Sequence, residues 1–353
     1  MGDKSYWIDT GTLLVLGAVG GTLGAWVGLP MPYMLGSLIF SAAYTITRAQ
    51  SGYAVAFHRP FRFLSIATIG TMIGGRFTPD LLPLFPQLWP SFLAVGLFVV
   101  LAHGYGYFVL RKVGKYDRVT ATYAAMPGGL IEAITLGERE GGDVRVLTVQ
   151  HFARIIIVVM AVPTFFLWLE GHAVGSSAGQ NMSTGPSHWW DLLAIAVIAP
   201  VGMWLGMRLN LPAGQLLGPL VLCAIAQLTG ILDLHSPGWL LSLAQLIVGA
   251  GLGAQFSGMG IGLLVKTFGM GVLAVAGMLV IGAVMALGLV AVVPETFDAL
   301  FVSFAPGGMT EMALIALSLD ASPVIVTAHH LVRILLAVVL VGWVNKRMKG
   351  RPE

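Results

Sequence analysis

Residues 127–132 read Pro127-Gly128-Gly129-Leu130-Ile131-Glu132, and residues 306–311 read Pro306-Gly307-Gly308-Met309-Thr310-Glu311. Downstream of each, His151 and Arg154 recur as His330 and Arg333, so proline, glutamate, histidine and arginine all repeat at one offset of 179 (306 − 127, 311 − 132, 330 − 151, 333 − 154). A second echo lies upstream, where Leu29-Pro30 and Leu35-Gly36-Ser37-Leu38 return as Leu211-Pro212 and Leu217-Gly218-Pro219-Leu220. Chance similarity between apolar segments accounts for matching leucines, but not for a registered Glu, His and Arg. The chain therefore reads as a duplication. The first half spans residues 1–169 and the second 188–353, joined by a Gly-, Ser- and Asn-bearing linker at 170–187.

The solvent for these halves is lipid. Of 353 residues, 57% are hydrophobic and only 10% charged, whereas a water-facing domain carries about 25% charged residues. A mean hydropathy of +0.86 and 46 glycines fit membrane helices, where small residues let backbones approach closely. Apolar stretches run over 12–27, 33–47, 61–75, 88–110, 121–136 and 144–169, and again over 190–207, 215–232, 239–256, 267–293, 297–319 and 323–344. Most approach the length needed to cross a hydrocarbon core of about 30 Å. The run after Trp7 is too long for a cleavable signal peptide and reads as the first span. The single cysteine, Cys223, excludes an internal disulfide framework.

Charge sets the orientation, because short cytoplasmic loops are enriched in Lys and Arg. In the first half the basic loops follow the second stretch (Arg48, Arg59, Arg62) and the fourth (Arg111, Lys112, Lys115, Arg118). In the second half those loops carry none, and the basic residues follow the first, third and last stretches (Arg208; Lys266; Lys346, Arg347, Lys349, Arg351). Equivalent loops thus have opposite bias, which implies halves inserted upside down, with cytoplasmic termini and an external linker. Arg76, on the outer side, is the exception. Inversion needs an odd number of crossings per half, so one of the six stretches does not cross. The fifth is the one broken by Pro-Gly-Gly, since proline removes a backbone donor and adjacent glycines weaken a helix. The expected fold is an all-α polytopic membrane protein of two inverted repeats, each with about five transmembrane helices and one broken or re-entrant helix. Twelve full crossings with parallel halves is the alternative.

Non-helical backbone at membrane depth is tolerated where it packs in protein or lines a watery cavity, and paired breaks in two halves are the pattern of a secondary transporter's binding site. Pro127, Gly128 and Gly129, with Pro306, Gly307 and Gly308, form the candidate breaks. Each opens a helix whose free N–H groups favour an anion. Glu132 and Glu311 fall in those first turns, with Thr310 beside the second, and a carboxylate at bilayer depth is a functional candidate by default. His151 with Arg154, and His330 with Arg333, are three apart and share a helix face. The arginines are natural partners for the two glutamates, or for a carboxylate, sulfonate or phosphate on a substrate. The plainer reading is a buried ion pair locking hairpin to helix. No metal site and no cofactor is expected; His329 and His330 are adjacent but do not make a copper ligand set. No GxxxxGK[ST] loop is present for ATP, nor a basic, water-soluble nucleic-acid-binding domain.

The duplicated Pro-Gly-Gly-x-x-Glu with its downstream His-x-x-Arg, and the Leu-Pro and Leu-Gly segments, resemble the bacterial AbrB membrane-protein family over essentially the whole chain. That resemblance implies an internally duplicated integral membrane protein. Members are labelled regulators of gene expression or ammonia monooxygenases, and neither label draws support from these residues. The sequence points instead to a non-enzymatic, multi-pass permease of the bacterial inner membrane. It would move a small anionic or zwitterionic metabolite with proton coupling, its partners being that solute and the bilayer. A membrane sensor acting indirectly on gene expression is the second expectation, and a membrane enzyme the third.

Overall fold

The computed structural model describes residues 3–29, 31–170 and 187–349. Pro30, linker positions 171–186 and the C-terminal Arg351 lie outside them. The described residues fold entirely as helix and connecting loop, with no strand. Seven of their helices are long and apolar enough to cross a membrane: 6–26, 81–113, 144–169, 189–208, 238–256, 261–289 and 323–344. The protein is an all-α polytopic membrane protein. Large apolar side chains lie on its surface, as on α11 (Ile261–Leu289), where Val280, Val284 and Leu287 are about two-thirds exposed. Spaced at i, i+4 and i+7, they form an apolar stripe of the kind a membrane-spanning helix presents to lipid.

Two compact units divide the chain. One contains α1 (Asp3–Trp26), α2 (Pro32–Gln50), α3 (Arg59–Gly74), α8 (Trp189–Arg208), α9 (Gly214–Leu228) and α10 (Gly238–Gly253). Proline in the first turn of α2 and of α3 pre-sets the backbone where no intrahelical donor is lost. Small residues set the packing. α1 meets α2 with Gly20 against Gly36, and α8 meets α9 with Gly202 against Gly218, a pair displaced by 182 in both members. Each third helix then packs on the second helix of the other half. Gly249 and Gly253 of α10 rest on Met34, Leu38 and Ser41 of α2, while Gly70 and Gly74 of α3 rest on Leu216, Leu220 and Cys223 of α9. Because α3 is enclosed continuously from Ser65 to Gly74, it crosses this unit with 16 residues and little apolar surface of its own.

The other unit contains α4 (Trp89–Phe108), α5 (Arg118–Ala124), α6 (Leu130–Arg139), the first part of α7 (Val144–Glu170), α11, α12 (Phe297–Phe304), the start of α13 (Met309–Ser318) and most of α14 (Pro323–Lys349). α4 and α11 run antiparallel: Phe98 lies by Gly282, Gly106 on Met278 and Gly114 on Met270. The Tyr105 hydroxyl donates to the Leu273 carbonyl at 3.0 Å, and Lys266 Nζ sits 5.3 Å from the centre of the Tyr116 ring. The fifth stretch of each half is cut in two. α5 starts on an Asp117 cap that accepts from Thr120 N–H at 2.8 Å and stops before Pro127. α12 starts on a Thr296 cap and stops before Pro306. The segments α5, α6, α12 and α13 have 7, 10, 8 and 10 residues, too few for any one to cross about 30 Å.

Candidate functional site

Cutting a helix inside the membrane leaves the last carbonyls of its first segment and the first N–H groups of its second without partners. The two breaks deal with this alike. On the carbonyl side, α7 supplies His151, whose Nε2 donates to Tyr123 O at 3.0 Å, and Arg154, whose Nη1 donates to Met126 O. α14 supplies His330, whose Nε2 donates to Val302 O at 3.0 Å, and Arg333, whose Nη1 donates to Ala305 O. Both members of each contact are displaced by 179 (302 − 123, 330 − 151; 305 − 126, 333 − 154). A guanidinium at the negative end of a short helix is a favourable place for a buried cation.

The sequence offers these arginines to the two glutamates or to an anion on a substrate, and the structure adds main-chain partners. The contacts the arginines make are to carbonyl oxygens and, for Arg333, to an imidazole. The glutamates turn the other way. Each is the third residue of its helix, and each carboxylate folds back over the glycine that precedes the helix. A Cβ on Gly129 would sit 3.1 Å from Glu132 Oε2, and one on Gly308 would collide with Glu311 Oε2. That is the geometry in which a glutamate near a helix start covers the exposed N–H groups behind it. Gly129 has φ +66°, a conformation that costs an L-residue with a Cβ.

Arg333 sits between the two breaks. Its Nη2 donates to Gly307 O at 2.9 Å, and Nη1 also reaches Phe304 O at 3.4 Å. On its other side a Cβ at Gly128 would lie 3.6 Å from its Nε and 3.4 Å from Ile334. The site residues Pro127–Gly129, Glu132, His151, Arg154, Pro306–Gly308, Thr310, Glu311, His330 and Arg333 thus all occupy the unit that carries the broken helices.

His329 belongs to the packing instead: Nδ1 donates to Ile325 O at 2.8 Å, Nε2 lies 2.8 Å from Ser91 Oγ, and the ring stacks on Phe92. Among the described residues no group of three His, Cys, Asp or Glu is placed to hold a metal ion. In the other unit, Arg76 and Asp320 line a polar cavity of about 270 Å³ with Thr78 and Ser322. Burial pulls the Arg76 guanidinium below its usual pKa and Asp320 pulls it back up, so the basic residue that broke the charge pattern has an acidic neighbour.

Two broken helices in an otherwise long-helix, lipid-facing fold, with buried arginines on their cut ends, define a polytopic membrane protein with a polar site at helix breaks. The chain belongs to the AbrB family: the family model, described as "Transition state regulatory protein AbrB", matches residues 43–349. It is similar to "Putative regulator AbrB" of Escherichia coli strain K12, with 24% identity covering 90% of this chain and 89% of that protein. It is also similar to "Uncharacterized protein YhjN" of Bacillus subtilis strain 168, again 24% identical, over 93% of this chain and 90% of that one.

Proposed function

We propose that this protein is a secondary transporter or permease of a small anionic or zwitterionic metabolite in the bacterial inner membrane, built from two inverted halves and coupled to protons. The observation that carries this reading is Arg333: buried, 1% exposed, and placed against both Pro-Gly-Gly breaks at once. Broken helices in corresponding positions of two repeats are the pattern of a transporter's binding region, and Arg333 holds the two breaks side by side. Inversion draws support from the antiparallel run of α4 against α11, the fourth elements of the two halves. Lys266, at the start of α11, reaches Tyr116, just past the end of α4. Those two points would lie on opposite sides of the bilayer if the halves were parallel. Glu132 and Glu311, folded over the helix starts, are the proton carriers in this scheme: protonation weakens their hold on the N–H groups and frees positive helix ends for an anion.

A sensor is the second reading, favoured by the word "regulator" in the descriptions of the family and of the E. coli relative. Reconstitution in liposomes separates the two. An inward proton gradient driving uptake of labelled carboxylates, sulfonates, phosphates or amino acids, abolished by a protonophore, supports transport. Ligand binding without flux supports the sensor, and neither binding nor flux overturns both.

A further inference from the structure

The two breaks are related residue by residue, yet they are not equally satisfied. Three positions on α14, His329, His330 and Arg333, correspond at the offset of 179 to Gln150, His151 and Arg154 on α7. In the second half both nitrogens of His329 have partners. His330 Nε2 faces Val302 O and its Nδ1 takes Arg333 Nη2 at 3.1 Å. Arg333 reaches three carbonyls, those of Phe304, Ala305 and Gly307. In the first half Gln150 Oε1 and His151 Nδ1 have no hydrogen-bond partner among the described residues, and Arg154, with five N–H donors, reaches the single carbonyl of Met126. The Nε of each arginine also has none. Gln150 and His151 are 2% and 0% exposed, so bulk water does not make up their shortfall, and Nε of Arg154, a residue 5% exposed, is likewise buried without a partner. Buried polar groups left this way are costly and call for an explanation.

Access differs in the same sense. Leu130 and Glu132, at the start of α6, are half-buried, whereas Met309, Thr310 and Glu311, at the start of α13, are buried. The less satisfied break is also the more open one.

We infer that the ligand binds at the first break, where Arg154 takes its anionic group while His151 Nδ1 and Gln150 Oε1 accept from a hydroxyl or ammonium on the same molecule. The three side chains lie within one turn of α7, at i, i+1 and i+4. The tautomer fixes the sense of the second contact. His151 Nε2 faces a carbonyl, which only accepts, so Nε2 carries the proton and Nδ1 of the neutral ring presents a lone pair. A simple carboxylate satisfies Arg154 but leaves two buried acceptors unfilled. A small carboxylate bearing its own hydroxyl or amino group satisfies all three. Arg333, its donors largely spent on carbonyls and His330, positions the second break. This inference rests on the anion-site reading above and narrows it to hydroxy- or amino-carboxylates.

The test measures dissociation constants at pH 7 for the full chain in lipid nanodiscs, using matched probes: glycolate against acetate, malate against succinate, alanine against propionate. Each donor-bearing member should bind about tenfold more tightly than its partner, the worth of one to two buried hydrogen bonds. Gln150→Leu removes an acceptor that holds no other group, so it should fold normally and shrink the preference within every pair that binds. Arg154→Lys should weaken both members of each pair, with a cooperative melting transition as the check that it folds. Equal affinities within all pairs, an unchanged preference in Gln150→Leu, or wild-type affinities in a folded Arg154→Lys would each overturn this inference and leave the anion reading standing. No binding of any probe would overturn both.

Discussion

Arg333 Nη2 donates to the carbonyl of Gly307 at 2.9 Å, and the same side chain reaches the carbonyls of Phe304 and Ala305. The arginine therefore supplies donors to carbonyls left without helical partners where the chain breaks around Pro306, while Val302 O, the acceptor that the N–H missing from Pro306 would have served, is met by His330. Arg333→Ala leaves those carbonyls buried without a donor, and a lost bond to a charged group is worth about 1.5–3 kcal/mol. A loss of about 3 kcal/mol or more is expected in thermal unfolding of the purified protein, with Arg333→Lys recovering part, because an ammonium is a point donor rather than a fork. Wild-type stability of Arg333→Ala would mean that water reaches the break.

Glu132→Gln and Glu311→Gln keep the shape and an acceptor oxygen at each helix start but cannot ionise. Both variants should fold with near-wild-type melting temperatures, and flux into liposomes should lose its pH dependence. If both transport with the wild-type pH profile, the protons are carried elsewhere or not at all.

Much of this arrangement is legible in the sequence, and the parts that are not have identifiable physical reasons. The offset of 179 located both breaks, because proline and glycine punctuate a helix wherever they fall. The contacts that the two arginines make are not legible, because only side chains can be seen in a sequence. The groups that occupy Arg154 and Arg333 are main-chain carbonyls, of Met126 and Ala305, which become acceptors only after the break is in place. Gly70 and Gly74 recur as Gly249 and Gly253 at the same offset, a signal present but hidden among 46 glycines. No local pattern says that α10 packs on α2, a helix from the other half; such a choice is made by tertiary fit.

That fit makes its own prediction. Gly249 lies so close to the Met34 carbonyl and the Ser37 side chain that an added Cβ overlaps both. Gly249→Val should therefore destabilise by about 1–3 kcal/mol, the usual cost of overpacking, or more where helix separation has to change. Gly104 and Gly288 have open space where a Cβ would go, so Gly104→Ala and Gly288→Ala should be neutral or slightly stabilising, as alanine is the better helix former. Melting temperatures of the three variants, measured side by side, check the contrast. Equal behaviour would mean that the α2–α10 contact contributes little to stability.

Inverted insertion is decided by one loop. Both schemes put Lys115, after α4, in the cytoplasm and Thr78, after α3, outside, so cysteines at those positions serve as references. The schemes part at Lys266. Inverted halves place it in the cytoplasm, whereas twelve crossings with parallel halves place it outside, across a hydrocarbon core of about 30 Å from the Tyr116 ring, although its Nζ is 5.3 Å from that ring's centre. In a Cys223→Ser background, which removes the one native thiol, an impermeant maleimide applied to intact cells should label Thr78→Cys and spare both Lys115→Cys and Lys266→Cys. Permeabilised cells should label all three. Labelling of Lys266→Cys in intact cells would refute the inverted arrangement and, with it, the assembly of one site from two oppositely facing breaks.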